Sequence, residues 1–218
     1  MINKTLFNLG NFTGKIGNCI FYRHRNRICI RSISETVKPP SSPGQLAQQE
    51  RIAALANLYQ ALKEAKLHLY WQKAAEGLLQ NGYNLLVKTN LPAFSGQGTV
   101  CDFSKLLITL GKVALPNNLK LTADPHGGQI LEWSNAPLTP HANADDRLRI
   151  VMMKDYETFD VKPLDMADYS RSNCRAVFRI PESLKDFSHL YVIFCSRVDG
   201  TCSSSRYFNI NPKSYGNL

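Results

Sequence analysis

A group of basic residues near the beginning of the sequence has the composition best suited to chemistry with a charged partner. Guanidinium groups match the geometry of phosphates and carboxylates, and the interleaved aromatic and histidine side chains offer stacking surfaces of the kind that nucleic-acid binding uses. An arm that docks on an acidic neighbour in an assembly has the same composition, and so does a merely solvated basic face. The candidate contact residues are Lys15, Arg23, Arg25, Arg27 and Arg31.

The distribution of charge favours a binding surface at this end of the chain. The formal net charge at pH 7 is +9 over 218 residues. Residues 1–40 carry seven basic groups and one acidic group, which gives +6, and the other 178 residues carry 19 basic and 16 acidic groups, which gives +3. Such a local excess is informative about a partner and not about the fold. No apolar run approaches the roughly 20 residues of a membrane-spanning helix, so we expect no membrane partner.

The histidines do not indicate a catalytic site. General acid–base catalysis needs titratable groups held close to one another, and no histidine of this sequence lies in a short motif with a nucleophile or a metal ligand. Two glycines at residues 96–98 resemble part of a dinucleotide-binding loop, but the third glycine and the preceding strand of such a loop are missing. We therefore expect a protein that is not an enzyme and that uses no cofactor and no small-molecule substrate. The histidines are His24, His68, His126, His141 and His189.

Six cysteines are scattered without a CxxC pair or a nearby CxxH, so neither a zinc site nor a thioredoxin-type motif is indicated. Asp145 and Asp146 lack the regular acidic spacing of a calcium loop, and we expect no metal ion. The first residues contain no unbroken apolar stretch of the length that a signal peptide requires, which predicts synthesis in the cytoplasm and reduced thiols. Cys195 and Cys202 could face each other across a hairpin, and they are the pair to test for a disulfide.

Residues 1–40 are predicted to form a basic extended arm that contains a β-hairpin. Alternating side chains favour two short strands, 19–23 and 27–33, joined by a polar turn. In the second strand the alternation places Ile28 and Ile30 on the face opposite the arginines. A hairpin of this size is not stable alone, so it must pack on the rest of the chain or on a neighbouring molecule.

Residues 41–92 are predicted to be helical. Ser42 is a candidate N-cap and Pro43 suits the first turn of a helix, which we expect to end near residue 69. A second helical stretch, 71–86, contains two glycines that can divide it. The simplest arrangement is an antiparallel helical pair with aromatic residues in its seam.

After a connector at residues 93–118, the pattern changes to strand-like alternation over residues 119–212. Turn signals at regular intervals favour an antiparallel β-sandwich, and the whole chain is predicted to belong to the α+β class. A weak seventh strand is possible between residues 159 and 169. The six candidate strands are 119–123, 129–134, 147–156, 174–180, 189–197 and 203–210.

The segments LKLTA, QILEWS, RLRIVMM and LYVIF, followed by the hairpin VDGTCSSSRYF, resemble a fibronectin type III module. Trp133 matches the core tryptophan of the second strand of that module, and Tyr191 lies where its sixth strand carries a tyrosine. The long loop at residues 135–146 departs from the compact module. The resemblance implies an immunoglobulin-like sandwich with Trp133 and Tyr191 in its core.

The whole chain also resembles a family of proteins of unknown function common in Bacteroidota. The shared segments are FTGKIGN, the IRS that ends the basic hairpin, GQLAQQER, NGYNLLVKTN, and the later tryptophan and SSSRY. The helical middle segment, with its GYN element, is similar to phage-encoded particle proteins. These resemblances imply a structural protein of a larger assembly, a virion if the chain is phage-derived, whose basic arm contacts neighbouring subunits. The alternative is an accessory protein that binds nucleic acid through the same arginines.

Overall fold

The computed structural model describes residues 12–24, 27–34, 39, 42–125, 127–135, 141–154 and 159–210. The chain divides into two compact units, residues 1–41 and residues 42–218. Within the described ranges, three α-helices and three antiparallel sheets of three or four strands make up the structure. The predicted α+β class is therefore confirmed.

The first unit contains a three-stranded sheet in the order β1-β2-β3. The strands are β1 (Gly14–Ile16), β2 (Cys19–His24) and β3 (Arg27–Ser32). The predicted hairpin corresponds to β2 and β3, and β1 adds a strand that the sequence pattern did not predict. Two residues join β1 to β2, and the first of them, Gly17, has a φ of +54°. Short hairpin turns favour glycine there because other residues adopt positive φ at a cost.

The second unit begins with helix α1 (Pro43–Glu64). The Ser42 hydroxyl accepts a hydrogen bond from the Gln45 amide, and the Gln45 side chain accepts one from the Ser42 amide, which completes a capping box. The predicted cap and the proline in the first turn are confirmed. The predicted end near residue 69 is wrong, because the chain turns at Lys66, whose φ is +59°.

The second predicted helical stretch is two separate helices, α2 (His68–Ala74) and α3 (Gly82–Asn90). The Asn81 side chain caps α3 by accepting a hydrogen bond from the Asn84 amide. A side chain at Gly82 would approach the backbone of Trp71 to 2.8 Å, so a close contact between α2 and α3 requires the glycine. The described residues therefore form three α-helices where the sequence pattern favoured a helical pair.

Seven strands form the remaining two sheets, and both sheets are antiparallel. The three-stranded sheet has the order β4-β5-β8 and the four-stranded sheet has the order β10-β9-β6-β7. Each of the six predicted strands overlaps a strand of the structure, and β7 lies where the weak seventh was predicted. The strands are β4 (Asn117–Ala123), β5 (Gln129–Ser134), β6 (Arg147–Met153), β7 (Val161–Pro163), β8 (Arg175–Phe178), β9 (His189–Cys195) and β10 (Arg206–Asn209).

Two apolar clusters lie on opposite faces of the four-stranded sheet. One cluster joins this sheet to the three-stranded sheet, and in it the rings of Trp133 and Phe194 meet edge to face at 5.4 Å. The other cluster joins the sheet to the three helices and the connector. Tyr191 belongs to this second cluster, so it is buried on the face opposite Trp133, and its hydroxyl donates to the Phe103 carbonyl at 3.0 Å. The four-stranded sheet thus has an apolar cluster on each of its faces.

Candidate functional site

The N-terminal sheet has two faces of different chemistry. Strand residues alternate between faces, and residues that pair across an antiparallel ladder share one face. Ile20 pairs with Arg31 and Tyr22 pairs with Cys29, whereas Phe21, between them, pairs with Ile30. The basic face comprises Lys15, Ile20, Tyr22, His24, Arg27, Cys29 and Arg31. The apolar face comprises Ile16, Cys19, Phe21, Arg23, Ile28 and Ile30.

The structure brings three of the five predicted contact residues together and separates a fourth from them. Lys15, Arg27 and Arg31 lie on the basic face, and all three are exposed. Arg23 pairs with Ile28 and lies on the apolar face. Arg25 falls outside the described residues. The three clustered cations form an exposed surface of one sign, suited to an anionic partner.

The apolar face leaves large hydrophobic side chains in contact with solvent. Phe21 is buried, and the ring of Phe12 meets it edge to face with 5.8 Å between centroids. Around it, Ile16, Ile28 and Ile30 are 51%, 47% and 54% exposed. Contiguous exposed apolar residues that have polar neighbours mark interaction surfaces. The alternation in β3 already predicted the positions of Ile28 and Ile30, but Ile16 belongs to the strand that the pattern missed.

The edge of this sheet is less suited to a partner than its faces are. β3 is an outer strand, and among the described residues no further strand pairs with it. An outer strand can accept an additional strand from another molecule. Arg27 and Arg31 lie on this strand, and charged side chains at an edge discourage strand pairing. The faces are therefore the stronger candidates for a contact.

The histidines do not converge on one site. His24 is exposed on the basic face, and His141 lies in a loop of the second unit. His189 is buried, stacked on Phe103 with 3.6 Å between centroids, and its Nδ1 is 3.0 Å from the Tyr207 hydroxyl oxygen. The His68 ring lies edge to face with the ring of Tyr59 in α1. His126 falls outside the described residues. In the described ranges, no three His, Cys, Asp or Glu side chains form a group that could hold a metal ion.

Cys195 and Cys202 face each other across an antiparallel bridge, as predicted, and both are free thiols. The Ser196 amide donates to the Thr201 carbonyl and the Ser203 amide donates to the Phe194 carbonyl, so the cysteines occupy a pair without its own hydrogen bonds, where side chains lie closest. Burial raises the pKa of the Cys195 thiol and raises that of Cys202 to about 12. A thiol that remains protonated is a poor nucleophile, so this pair is unsuited to catalysis.

Asp146 takes part in a buried ion pair and not in a cation site. Its Oδ2 accepts a hydrogen bond from Arg171 Nε at 3.1 Å, and the two side chains are 1% and 2% exposed. The Arg171 guanidinium lies 5.0 Å from the centre of the Phe194 ring. The backbone carbonyl of Arg171 accepts a hydrogen bond from Trp133 Nε1 at 2.8 Å. The pair anchors the loop before β6 to the core between the two sheets. The two residues are 25 positions apart in the sequence, so no local sequence pattern could predict this ion pair.

Comparison of the chain with protein family models, with curated proteins and with solved structures gives no match. None of the described helices is both long and apolar enough to cross a membrane. The N-terminal sheet is the candidate binding surface, because one of its faces carries exposed cations and the other carries exposed isoleucines.

Proposed function

We propose that this protein is a non-enzymatic structural component of a larger protein assembly, attached to neighbouring subunits through its N-terminal sheet. The observation that carries the proposal is the apolar face, on which Ile16, Ile28 and Ile30 are about half exposed around Phe21. Protein–protein interfaces have an apolar core and a polar rim, and arginine is enriched in them relative to the rest of the protein surface. The partner of the apolar face is an apolar protein surface, and the cations on the opposite face of the sheet contact a separate acidic surface.

The second unit is proposed as the scaffold of that assembly. The strand orders β4-β5-β8 and β10-β9-β6-β7 match the immunoglobulin-like arrangement in which the first, second and fifth strands form one sheet and the third, sixth and seventh strands form the other. The short β7 extends the second sheet. These orders and the burial of Trp133 support a fibronectin-III-like sandwich. The GYN element of the helical segment is the sequence feature that resembles phage particle proteins, and on that resemblance we propose a virion as the first assembly to test.

The second candidate function is binding of nucleic acid, and the basic face favours it. Lys15, Arg27 and Arg31 can contact phosphates, and the exposed Tyr22 ring beside them can stack on a base. Nucleic-acid binding gives no role to the exposed isoleucines on the opposite face. In an assembly one neighbour can pack on the apolar face while an acidic surface contacts the basic face, so both faces have a role, which is why assembly is the leading proposal.

The test compares single substitutions on the two faces of the full chain. Sedimentation velocity of the purified protein, alone and mixed with native extract, is expected to show oligomers or a complex that Ile28→Asp abolishes. Leu79→Asp, at an exposed leucine of the second unit, is the matched control and should have no effect. A parent protein that remains monomeric and recruits nothing would refute the assembly proposal.

Binding to duplex and single-stranded DNA over a salt series distinguishes the second candidate. If the nucleic-acid function is correct, affinity falls steeply with salt, because each neutralised phosphate releases counterions. Arg31→Gln then weakens binding and reduces the salt dependence, whereas Ile28→Asp has little effect. The two faces therefore give opposite results under the two proposals.

A further inference from the structure

A cavity of about 610 Å³ lies within the second unit, where the turn between α1 and α2 passes over the four-stranded sheet. We call it the turn cavity. Its interior is predominantly apolar, and its volume is in the range of cavities that bind small molecules. The apolar lining comprises Leu67, Leu69, Val151, Pro163, Leu164 and Ile193.

The same cavity has cationic side chains in its wall. Alternation along β6 places Arg149 on the same face as Val151, which packs in the helix-side cluster. Arg149 is exposed, and Lys66 and Lys73 reach the cavity from the turn and from α2. An apolar cavity with cations in its wall is suited to a molecule that has an apolar body and an anionic head.

A smaller cavity of about 420 Å³ adjoins the turn cavity and shares Tyr70 and Arg149 with it. It adds two further arginines, Arg147 and Arg197. The Asp168 carboxylate lies 3.3 Å from Arg147 and 2.8 Å from Arg197. One carboxylate among three guanidiniums leaves an excess of positive charge at the junction of the two cavities, where an anion is stabilised.

Tyr70 supplies a neutral hydrogen-bond donor at this junction. The Tyr70 hydroxyl oxygen lies 3.5 Å from the Cys195 sulfur, and because sulfur is a weak hydrogen-bond partner the hydroxyl can donate to a stronger acceptor in the cavity. Burial raises the pKa of Tyr70, so the hydroxyl keeps its proton at physiological pH. A hydroxyl donor beside a guanidinium favours an oxyanion, since both groups donate to it.

We propose that the turn cavity is a binding site for an amphiphilic oxyanion, with a medium-length apolar chain inside the cavity and a carboxylate or phosphate head at Arg149 and Tyr70. The proposal is independent of the N-terminal sheet and its partner. It assigns to Arg149 a role in binding that neither the fold nor the assembly contact requires, because an exposed arginine on this sheet is not needed to cover the core.

Isothermal titration of the full-length protein tests the site with decanoate and decyl phosphate, each below its micelle-forming concentration. We expect one molecule to bind per chain. Acetate and inorganic phosphate carry the heads alone and should bind at least about 100-fold more weakly, because each buried methylene strengthens binding about fourfold. Preference for decanoate assigns a carboxylate ligand, and preference for decyl phosphate assigns a phosphate ligand. Failure of both amphiphiles to bind overturns the proposal.

Two pairs of variants locate the binding. Arg149→Gln should weaken binding about tenfold or more, as expected for loss of a charged hydrogen bond, whereas Arg175→Gln on the three-stranded sheet should not. Leu69→Trp introduces a bulky side chain into the cavity at a residue that is 52% exposed, and Leu79→Trp is its control. Binding that survives both Arg149→Gln and Leu69→Trp would show that the ligand lies elsewhere and would refute the site.

Discussion

Strands β9 and β3 show how differently the two units of this protein use a β-sheet. All seven residues of β9 are buried, because the helix-side cluster covers one face and the three-stranded sheet covers the other. In β3 five of six residues are exposed and Cys29 is half-buried. In the second unit, helices and a second sheet bury the residues of β9. In the N-terminal sheet, both faces keep exposed side chains that a partner could contact.

The two sequences account for this difference. β9 has the sequence HLYVIFC, a nearly continuous apolar run of the kind found in strands that are covered on both faces. β3 has the sequence RICIRS, in which Ile28 and Ile30 alternate with Arg27, Cys29 and Arg31, so the strand contributes isoleucines to one face and arginines to the other. A strand with this alternation is favoured where its isoleucine face contacts an apolar surface and its arginine face contacts solvent or an anion. The comparison predicts that mutations in the second unit affect folding and that mutations in the N-terminal sheet affect association.

The largest expected effect is in the buried ion pair of the second unit. Asp146→Asn leaves the buried charge of Arg171 without its partner and should lower the free energy of unfolding by about 3–5 kcal/mol. Urea unfolding followed by far-UV circular dichroism measures this. Asp168→Asn removes a carboxylate that is half exposed, and the expected loss is only about 0–1 kcal/mol. Equal effects of the two substitutions would show that the Asp146 site is hydrated.

The next largest effect compares two isoleucines in the two kinds of strand. Ile193→Ala removes a fully buried side chain from β9 and should cost about 2–5 kcal/mol. Ile28→Ala, in β3, should change the free energy of unfolding of the second unit by less than about 0.5 kcal/mol. The same urea titration measures both, and sedimentation velocity should detect weakened association only for Ile28→Ala. A large loss of stability from Ile28→Ala would contradict the division of roles.

Local signals in the sequence predicted much of the fold, because they depend on a few neighbouring residues. The Ser42 cap and the strand patterns belong to this class. The turn at Lys66 could not be predicted, because it is a helix C-cap in which the Leu67 amide donates to the Leu62 carbonyl, and the residue with positive φ in such a cap is usually glycine and not lysine. Strand β1 has only three residues, too few for a pattern. Tyr191 was expected in the core, but which of two cores it joins depends on the helices that cover its face.

The candidate site could be predicted less completely than the fold. Alternation alone separated Ile28 and Ile30 from the arginines of β3. The position of Arg23 on the opposite face from Arg27 depends on the pairing register of β2 with β3, which sequence alone does not specify. The turn cavity has no sequence signal, because its walls come from residues far apart in the chain, such as Leu69 and Arg149.

A pH titration sharpens the comparison through a thiol of the second unit. Burial raises the pKa of Cys202 from its ordinary value of 9.0 to about 12, and the neighbouring Cys195 adds to the shift. Between these two pH values the unfolded chain loses the proton while the folded protein keeps it, so stability falls as pH rises, by up to about 1.4 kcal/mol per pH unit. Well below pH 9 the thiol is protonated in both states and contributes no slope.

Urea unfolding at pH 8, 9 and 10 measures this slope. Cys202→Ala should flatten it relative to the parent protein, whereas Cys101→Ala, at an exposed cysteine, should leave it unchanged. An identical slope in the parent and in Cys202→Ala would show that the Cys202 thiol is not shielded from water in the folded state.

The smallest effect concerns Ser42, the first residue of the second unit. Ser42→Ala removes the hydroxyl that accepts from the Gln45 amide and should cost about 1 kcal/mol, because an amide at the start of α1 then loses its partner. Gln45→Ala removes the reciprocal hydrogen bond only and should cost less. If the second unit is stabilised by its own contacts, both losses appear in its urea unfolding midpoint while oligomer formation, measured by sedimentation velocity, is unchanged. A change in association caused by either substitution would mean that the start of α1 is part of the contact surface. The association role would then extend from the N-terminal sheet into the second unit.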